Sequence, residues 1–170
     1  MQTDPELRFI FSNVNEWLKF AEAKLAGMIV LNSAIIIGIL SSYGTIHDYI
    51  DKNAAIIGVI AVGASLFWCI ATQLPVLNKF LSGGRSTGTL NLYYFGHLAN
   101  LTQQEFLNEF KRVNPNFSPS LLDEQLTNQI LINACIAKAK FVAFRNAGYL
   151  TASGIGIIAF TSVIKTLWHL

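Results

Sequence analysis

Charge is scarce in this chain. Only 13% of its 170 residues are Asp, Glu, Lys or Arg, about half the share in an ordinary soluble domain. Cysteine is scarcer still. Cys69 and Cys135 are the two, and neither belongs to a CxxC pair, so a disulfide framework, a thiolate metal site and a dithiol redox motif are excluded. Both read as small buried apolar residues. The four prolines, Pro5, Pro75, Pro115 and Pro119, all fall where a helix starts or stops. Long stretches therefore run without a breaker. Also missing are a nucleophile–base pair, a carboxylate pair on one helix face and a metal-ligand cluster. Glu105, Glu109, Asp123 and Glu124 read as solvated helix residues. The chain is not read as an enzyme, and it needs neither a metal nor a resident cofactor.

What the chain has instead is long apolar runs. Residues 25–42 carry no charge, and Asn32 is their only strongly polar side chain. That is close to the run of about 20 residues that crosses a bilayer core. Residues 54–74 and 147–164 repeat the signal. The expected fold is an all-α membrane protein: three transmembrane helices, with a small helical cytosolic segment between the second and third. The expected division is 1–24 as a cytosolic helix leading into span one and 25–74 as a transmembrane hairpin (25–42 and 54–74). A cytosolic sensor segment, 75–146, and the third span, 147–170, complete it. Residues 1–24 are too mixed in charge for a signal peptide, so span one reads as an uncleaved anchor.

The spans carry small residues at helical spacing. Ala34 and Gly38 in span one and Gly148, Ala152 and Gly156 in span three stand four apart. Small residues let helix backbones approach closely in lipid. Asn32 sits beside the first face. A buried amide there makes a helix–helix hydrogen bond or lines a pore.

Asp4-Pro5-Glu6 is a helix start, and Asn13-Val14-Asn15-Glu16 offers a second with capping-box spacing. One helix is expected from about Val14 to Ser42. Trp17 and Phe20 suit the headgroup zone, and Lys19 and Lys24 can snorkel. His47, in the short hairpin between spans one and two, reads as a plain loop residue. Orientation follows from the basic residues. Arg8, Lys19, Lys24, Lys79, Arg85, Lys111, Arg112, Lys138, Lys140 and Arg145 lie on one side and only Lys52 and Lys165 on the other. The positive-inside rule places the N-terminus and residues 75–146 in the cytosol and the C-terminus outside.

The cytosolic segment opens on a glycine-rich stretch, residues 79–89. Its backbone amides, Arg85 and two hydroxyls could cradle a phosphate, but it does not fit a P-loop, and a flexible connector is the preferred reading. Next comes an aromatic block, Tyr93-Tyr94-Phe95-Gly96-His97-Leu98, read as a buried strand or helix turn rather than a base-stacking platform. Thr102–Glu105 is a capping box. The helix behind it puts Phe106, Leu107, Phe110 and Val113 on one face and ends at Asn114-Pro115. Ser118-Pro119-Ser120-Leu121 restarts a helix. It continues past Asn133, Lys138, Lys140 and Arg145 into span three, about 65 Å from residue 121 to 164 at 1.5 Å per residue.

Three blocks carry a resemblance. Trp17-Leu18-Lys19-Phe20-Ala21-Glu22-Ala23-Lys24 runs straight into span one. Tyr94-Phe95-Gly96-His97-Leu98-Ala99 precedes a capped helix. Gln129-Ile130-Leu131-Ile132-Asn133-Ala134-Cys135-Ile136-Ala137-Lys138-Ala139-Lys140 leads to the last span. In this order and spacing the chain resembles the Pycsar effector transmembrane proteins (PycTM), with a milder basic stretch before span three. The resemblance implies an anti-phage effector of the bacterial inner membrane. A partner pyrimidine cyclase makes cUMP or cCMP on infection, and the effector senses it and impairs the membrane, causing abortive infection. The expected partners are the lipid bilayer, the cyclic pyrimidine mononucleotide and further copies of the chain, with no nucleic acid. Such a ligand needs a cation, a base-edge partner and a stacking ring. Lys138, Lys140 and Arg145, then Asn133, then Trp17, Tyr93 or Tyr94 offer these. As solvated or snorkelling side chains the same residues need no ligand. Two other readings stay open: a membrane subunit that binds a protein partner through residues 102–113, and an effector gated by a cyclic oligonucleotide.

Overall fold

A computed structural model describes residues 3–46, 50–74 and 90–168. Among them there are five helices and no strand: α1 Pro5–Ile46, α2 Lys52–Gln73, α3 Phe95–Leu98, α4 Gln103–Val113 and α5 Leu121–Trp168. Three of these, α1, α2 and α5, are long and apolar enough to cross a membrane. The protein is an all-α membrane protein. The glycine-rich stretch 79–89 and His47 lie outside the described residues.

The chain divides into two compact units. One comprises Met1–Glu22 and Pro75–Phe141, the other Ala23–Leu74 and Val142–Leu170. Along the chain, α1 and α5 each contribute to both.

The first unit has a core of large side chains. Leu7, Ile10 and Val14 of α1 repeat at helical spacing and are buried. Phe95 and Leu98 of α3, Phe106 and Phe110 of α4, and Ile130, Leu131, Ala134 and Ala137 of α5 complete it. This stripe explains why α1 starts at Pro5 and not at the second start near Val14. Val14 is itself a core residue. The would-be cap Asn13 serves a tertiary bond instead, its Nδ2 donating to the Tyr93 carbonyl at 2.6 Å, and next to it Asn15 Oδ1 accepts from Asn133 Nδ2 at 2.7 Å. A buried apolar stripe thus overrides a local cap signal.

Local signals hold elsewhere. Thr102 and Glu105 form the reciprocal capping box of α4. Asn114 ends that helix. The apolar face of α4 is used inside the unit, where Phe106 and Phe110 are buried, while Val113 is exposed. The aromatic block forms a helical turn, α3, with Tyr94 at its N-cap. Its ring pair Phe95–Phe141 stacks at 5.0 Å.

The second unit is built from the apolar parts of α1 and α5 with α2. Its buried apolar residues are mostly small: Ala54, Ala55, Cys69, Ala143 and Ala147, with Leu25 and Val62. The large side chains face outward, among them Ile37, Leu40, Ile60, Phe67 and Phe160. Helices α2 and α5 pack backbone against backbone at two glycines. A Cβ built on Gly154 would lie 2.8 Å from the Gly58 carbonyl oxygen, and one on Gly58 would lie 2.9 Å from the Gly154 carbonyl oxygen.

Candidate functional site

In the first unit a polar seam joins α1 to α5. Asn15 meets Asn133 at 2.7 Å, and one heptad further Lys140 Nζ meets Glu22 Oε1 at 2.9 Å. Both steps are seven residues, so the two helices run in the same direction here. Gln129 Nε2 donates to Asn133 Oδ1 at 2.9 Å, completing the amide. Lys140 is only 6% exposed, and a buried ammonium requires such a partner.

The expected ligand residues do not converge on one pocket. Asn133 and Lys140 belong to the seam. Lys138 points to a different neighbour, donating to Asn100 Oδ1 at 2.7 Å. Trp17 sits in an aromatic cluster, 5.3 Å from Phe95 and 6.1 Å from Phe141. Tyr94 packs on Phe95 and His97 and is partly exposed. Arg145 belongs to the second unit and is exposed.

Among the described residues of the first unit, two cavities have nucleotide-like dimensions. One of about 530 Å³ is lined by Thr3, Asp4, Pro5, Asn114, Asn116, Phe117, Ser118 and Asp123. Another of about 300 Å³ is lined by Leu90, His97, Asn100, Leu101, Glu105, Asn108 and Glu109. Neither is lined by the expected ligand residues, although Lys138 bonds Asn100 at the edge of the smaller one.

Asp123 corrects its reading as a solvated helix residue, for it is buried. Its Oδ2 accepts from the Ser120 amide at 3.0 Å and the Ser120 hydroxyl at 2.7 Å, and its Oδ1 accepts from the Asp4 amide at 3.0 Å. Burial pushes this carboxyl up, but the Ser120 and Asp4 hydrogen bonds and the nearby Arg8 charge outweigh it and hold it below the usual carboxylate range. This residue fastens the start of α1 to the start of α5. A second tie joins the Tyr93 hydroxyl to the Glu6 carboxylate. That bond, then burial and the Glu6 charge, push the Tyr93 phenol up.

In the second unit, Asn32 is fully buried and Thr151 and Ser65 surround it. Asn32 Nδ2 donates to Ser65 Oγ at 2.8 Å, Ser65 Oγ donates to the Ala147 carbonyl at 2.8 Å, and Thr151 Oγ1 donates to Asn32 Oδ1 at 2.8 Å. One polar triad therefore links all three span helices. Gly148 is partly buried near Met28, whose Cε would be 3.8 Å from a Cβ there. Ala34, Gly38, Ala152 and Gly156 are exposed, and Gly38 and Gly156 have nothing within 4 Å of an added Cβ.

Reading the sequence missed Asn15, Glu22, Thr151 and Gly154. The first two left a usable signal: Asn15 and Glu22 repeat the seven-residue spacing of Asn133 and Lys140. Thr151 and Gly154 left none beyond being small or polar in an apolar run.

Comparison with known families decides the class. The model of the Pycsar effector protein domain, PycTM, matches residues 6–167 of the 170-residue chain. The chain belongs to the Pycsar effector family. That makes it a membrane protein of anti-phage defence, in an effector family that is not a known enzyme family. No curated protein and no solved structure matches the effector.

Proposed function

We propose that this effector resides in the bacterial inner membrane, senses cUMP or cCMP made by a partner cyclase, and impairs the membrane to abort infection. The family match over nearly the whole chain carries the reading. The positive-inside bias supports a cytosolic first unit and a C-terminus on the periplasmic side. In this reading the first unit is the sensor. Asn133 and Lys140 hold α1 and α5 in register through Asn15 and Glu22. The ligand acts through α1 and α5, which both units share. Rearranged span helices, in a second copy as well as in the first, then breach the bilayer.

Binding of labelled cUMP, cCMP, cAMP and a cyclic dinucleotide to the detergent-purified protein tests this. Selective binding of cUMP or cCMP is the expected result. Binding of the dinucleotide alone would move the effector to a cyclic-oligonucleotide system. Binding of none of them by folded protein would favour a subunit that recognises a protein partner. One observation favours that second reading: Phe9, Trp17, Phe20, Tyr93 and Tyr94 remain exposed on the first unit. On α4, Phe106 and Phe110 are buried and Val113 is the large apolar side chain left exposed.

A further inference from the structure

The cavity of about 530 Å³ described above takes up groups that the rest of the described fold leaves unused. Its walls are the starts of α1 and α5 and the turn after α4. Asn116 and Ser118 are exposed, and Asn114 is half-buried. Among the described residues, their side chains form no hydrogen bond to a protein group. Thr3 and Asp123 lie on the wall, and Arg8 is bound to one and acts on the other: its Nε donates to the Thr3 hydroxyl, and its charge reaches the Asp123 carboxylate. The cleft therefore combines free amides and a hydroxyl with two carboxylates, and the Arg8 guanidinium is bonded to its wall residue Thr3.

We propose that this cleft is the binding site of the cyclic mononucleotide, an inference that rests on the sensing function above. At about 530 Å³ it falls in the range of small-ligand pockets. Asn114, Asn116 and Ser118 supply donors and acceptors to a pyrimidine edge and to the ribose hydroxyl. Asp4 accepts from a base N–H group, as a carboxylate does from the cytosine amine, while Asp123, whose oxygens already accept from Asp4 and Ser120, holds the wall in place. Arg8 takes the phosphate. The carboxylates also set a charge limit. Arg8 offsets one of the two carboxylates, so a cyclic phosphodiester, with one negative charge, meets less repulsion from the other than a more highly charged phosphate does. A linear monophosphate carries about −1.5 to −2 at pH 7, and the excess is repelled by Asp4 and Asp123. The cleft thus selects the cyclic messenger over the linear nucleotide it decays to. Its position also suits a switch, because the ligand bridges the starts of the two helices that continue into the span unit.

Equilibrium binding of radiolabelled cCMP and cUMP to the detergent-purified full chain tests the site. Asn116→Trp and Ser118→Trp fill the cleft from exposed positions and leave the core untouched. Each is expected to weaken binding at least tenfold while the helical circular dichroism and melting temperature stay as in the parent. Arg8→Glu is expected to do the same, and CMP and UMP to bind at least tenfold more weakly than their cyclic forms. Asn108→Trp, which fills the smaller cavity from an exposed position, is expected to stay within about twofold. Parent-like affinity in both tryptophan variants of the larger cleft, with the parent still binding, overturns this site and leaves the sensing function standing. A large loss in Asn108→Trp alone overturns it in favour of the smaller cavity. Failure of the folded parent to bind either cyclic nucleotide overturns both the site and the sensing function.

Discussion

The two units of this effector solve the same packing problem with opposite materials. The first buries Phe95, Phe106, Phe110, Leu7 and Ile130, and the charges it buries, Asp123 and Lys140, are held by hydrogen-bonded partners. The second buries Ala54, Ala143, Ala147 and Ser65, with Gly58 and Gly154 packed backbone against backbone, and turns Ile60, Phe67 and Phe160 outward. Water explains the first. Apolar area removed from water is worth about 25 cal/mol per Å², so large side chains belong inside. Lipid removes that drive, because its tails are as apolar as Leu. Backbone approach and a few hydrogen bonds must then hold the helices, which is what the glycine pair and the Asn32–Ser65–Thr151 triad supply. The same helices, α1 and α5, obey both rules along their length.

Substitutions should separate the two regimes. Phe106→Ala is expected to have the largest effect, about 3–5 kcal/mol on the first unit, since it empties a fully buried ring from a water-driven core. Chemical denaturation followed through the tryptophan signal measures it. Gly154→Leu should come next, at about 1–3 kcal/mol, because even a Cβ meets the Gly58 backbone and the helices must part. Steric trapping or thermal melting in detergent reports that loss. Asn32→Leu is expected to cost about 1–2 kcal/mol in the second unit, the usual size of an interhelical hydrogen bond in lipid, and nothing in the first. If a leucine there were stabilising, the triad would serve conduction rather than packing.

The smallest expected effect is at the start of α5. Ser120→Ala removes a helix cap and should cost about 1 kcal/mol. Its partner Asp123 makes the first unit acid-sensitive. The folded carboxyl titrates below its unfolded value of about 3.9. Its stabilisation is therefore complete above that value and lost as pH falls through the lower, folded one. Melting of Asp123→Asn between pH 6 and 3 should show a shallower acid limb than the parent. An unchanged limb would assign the acid sensitivity to other carboxylates.

The span helices and the caps of α4 and α5 were legible because their causes are local. A charge-free run, a Thr102–Glu105 box and a Ser-Pro-Ser start each act within one turn. What failed had a distant cause. Asn13 looks like a cap until its side chain is taken by the Tyr93 carbonyl, and Asn15 gives no sign of its partner Asn133. Lys140 looks like a free juxtamembrane cation, and Glu22 that pairs with it is 118 residues away. Small residues alone did not fix which register packs. Gly154 meets Gly58, while Gly156, two positions on, faces open space. The candidate cleft was illegible for the same reason, since Thr3, Asn116 and Asp123 are brought together only by the first unit's fold.

The most direct test of sensing joined to membrane damage is dye release from liposomes holding the purified full-length effector. Added cUMP or cCMP is expected to release the dye within minutes at concentrations that saturate binding, and cAMP is expected to release none. Liposomes that stay sealed while the bound nucleotide is measured on the same protein would contradict the account.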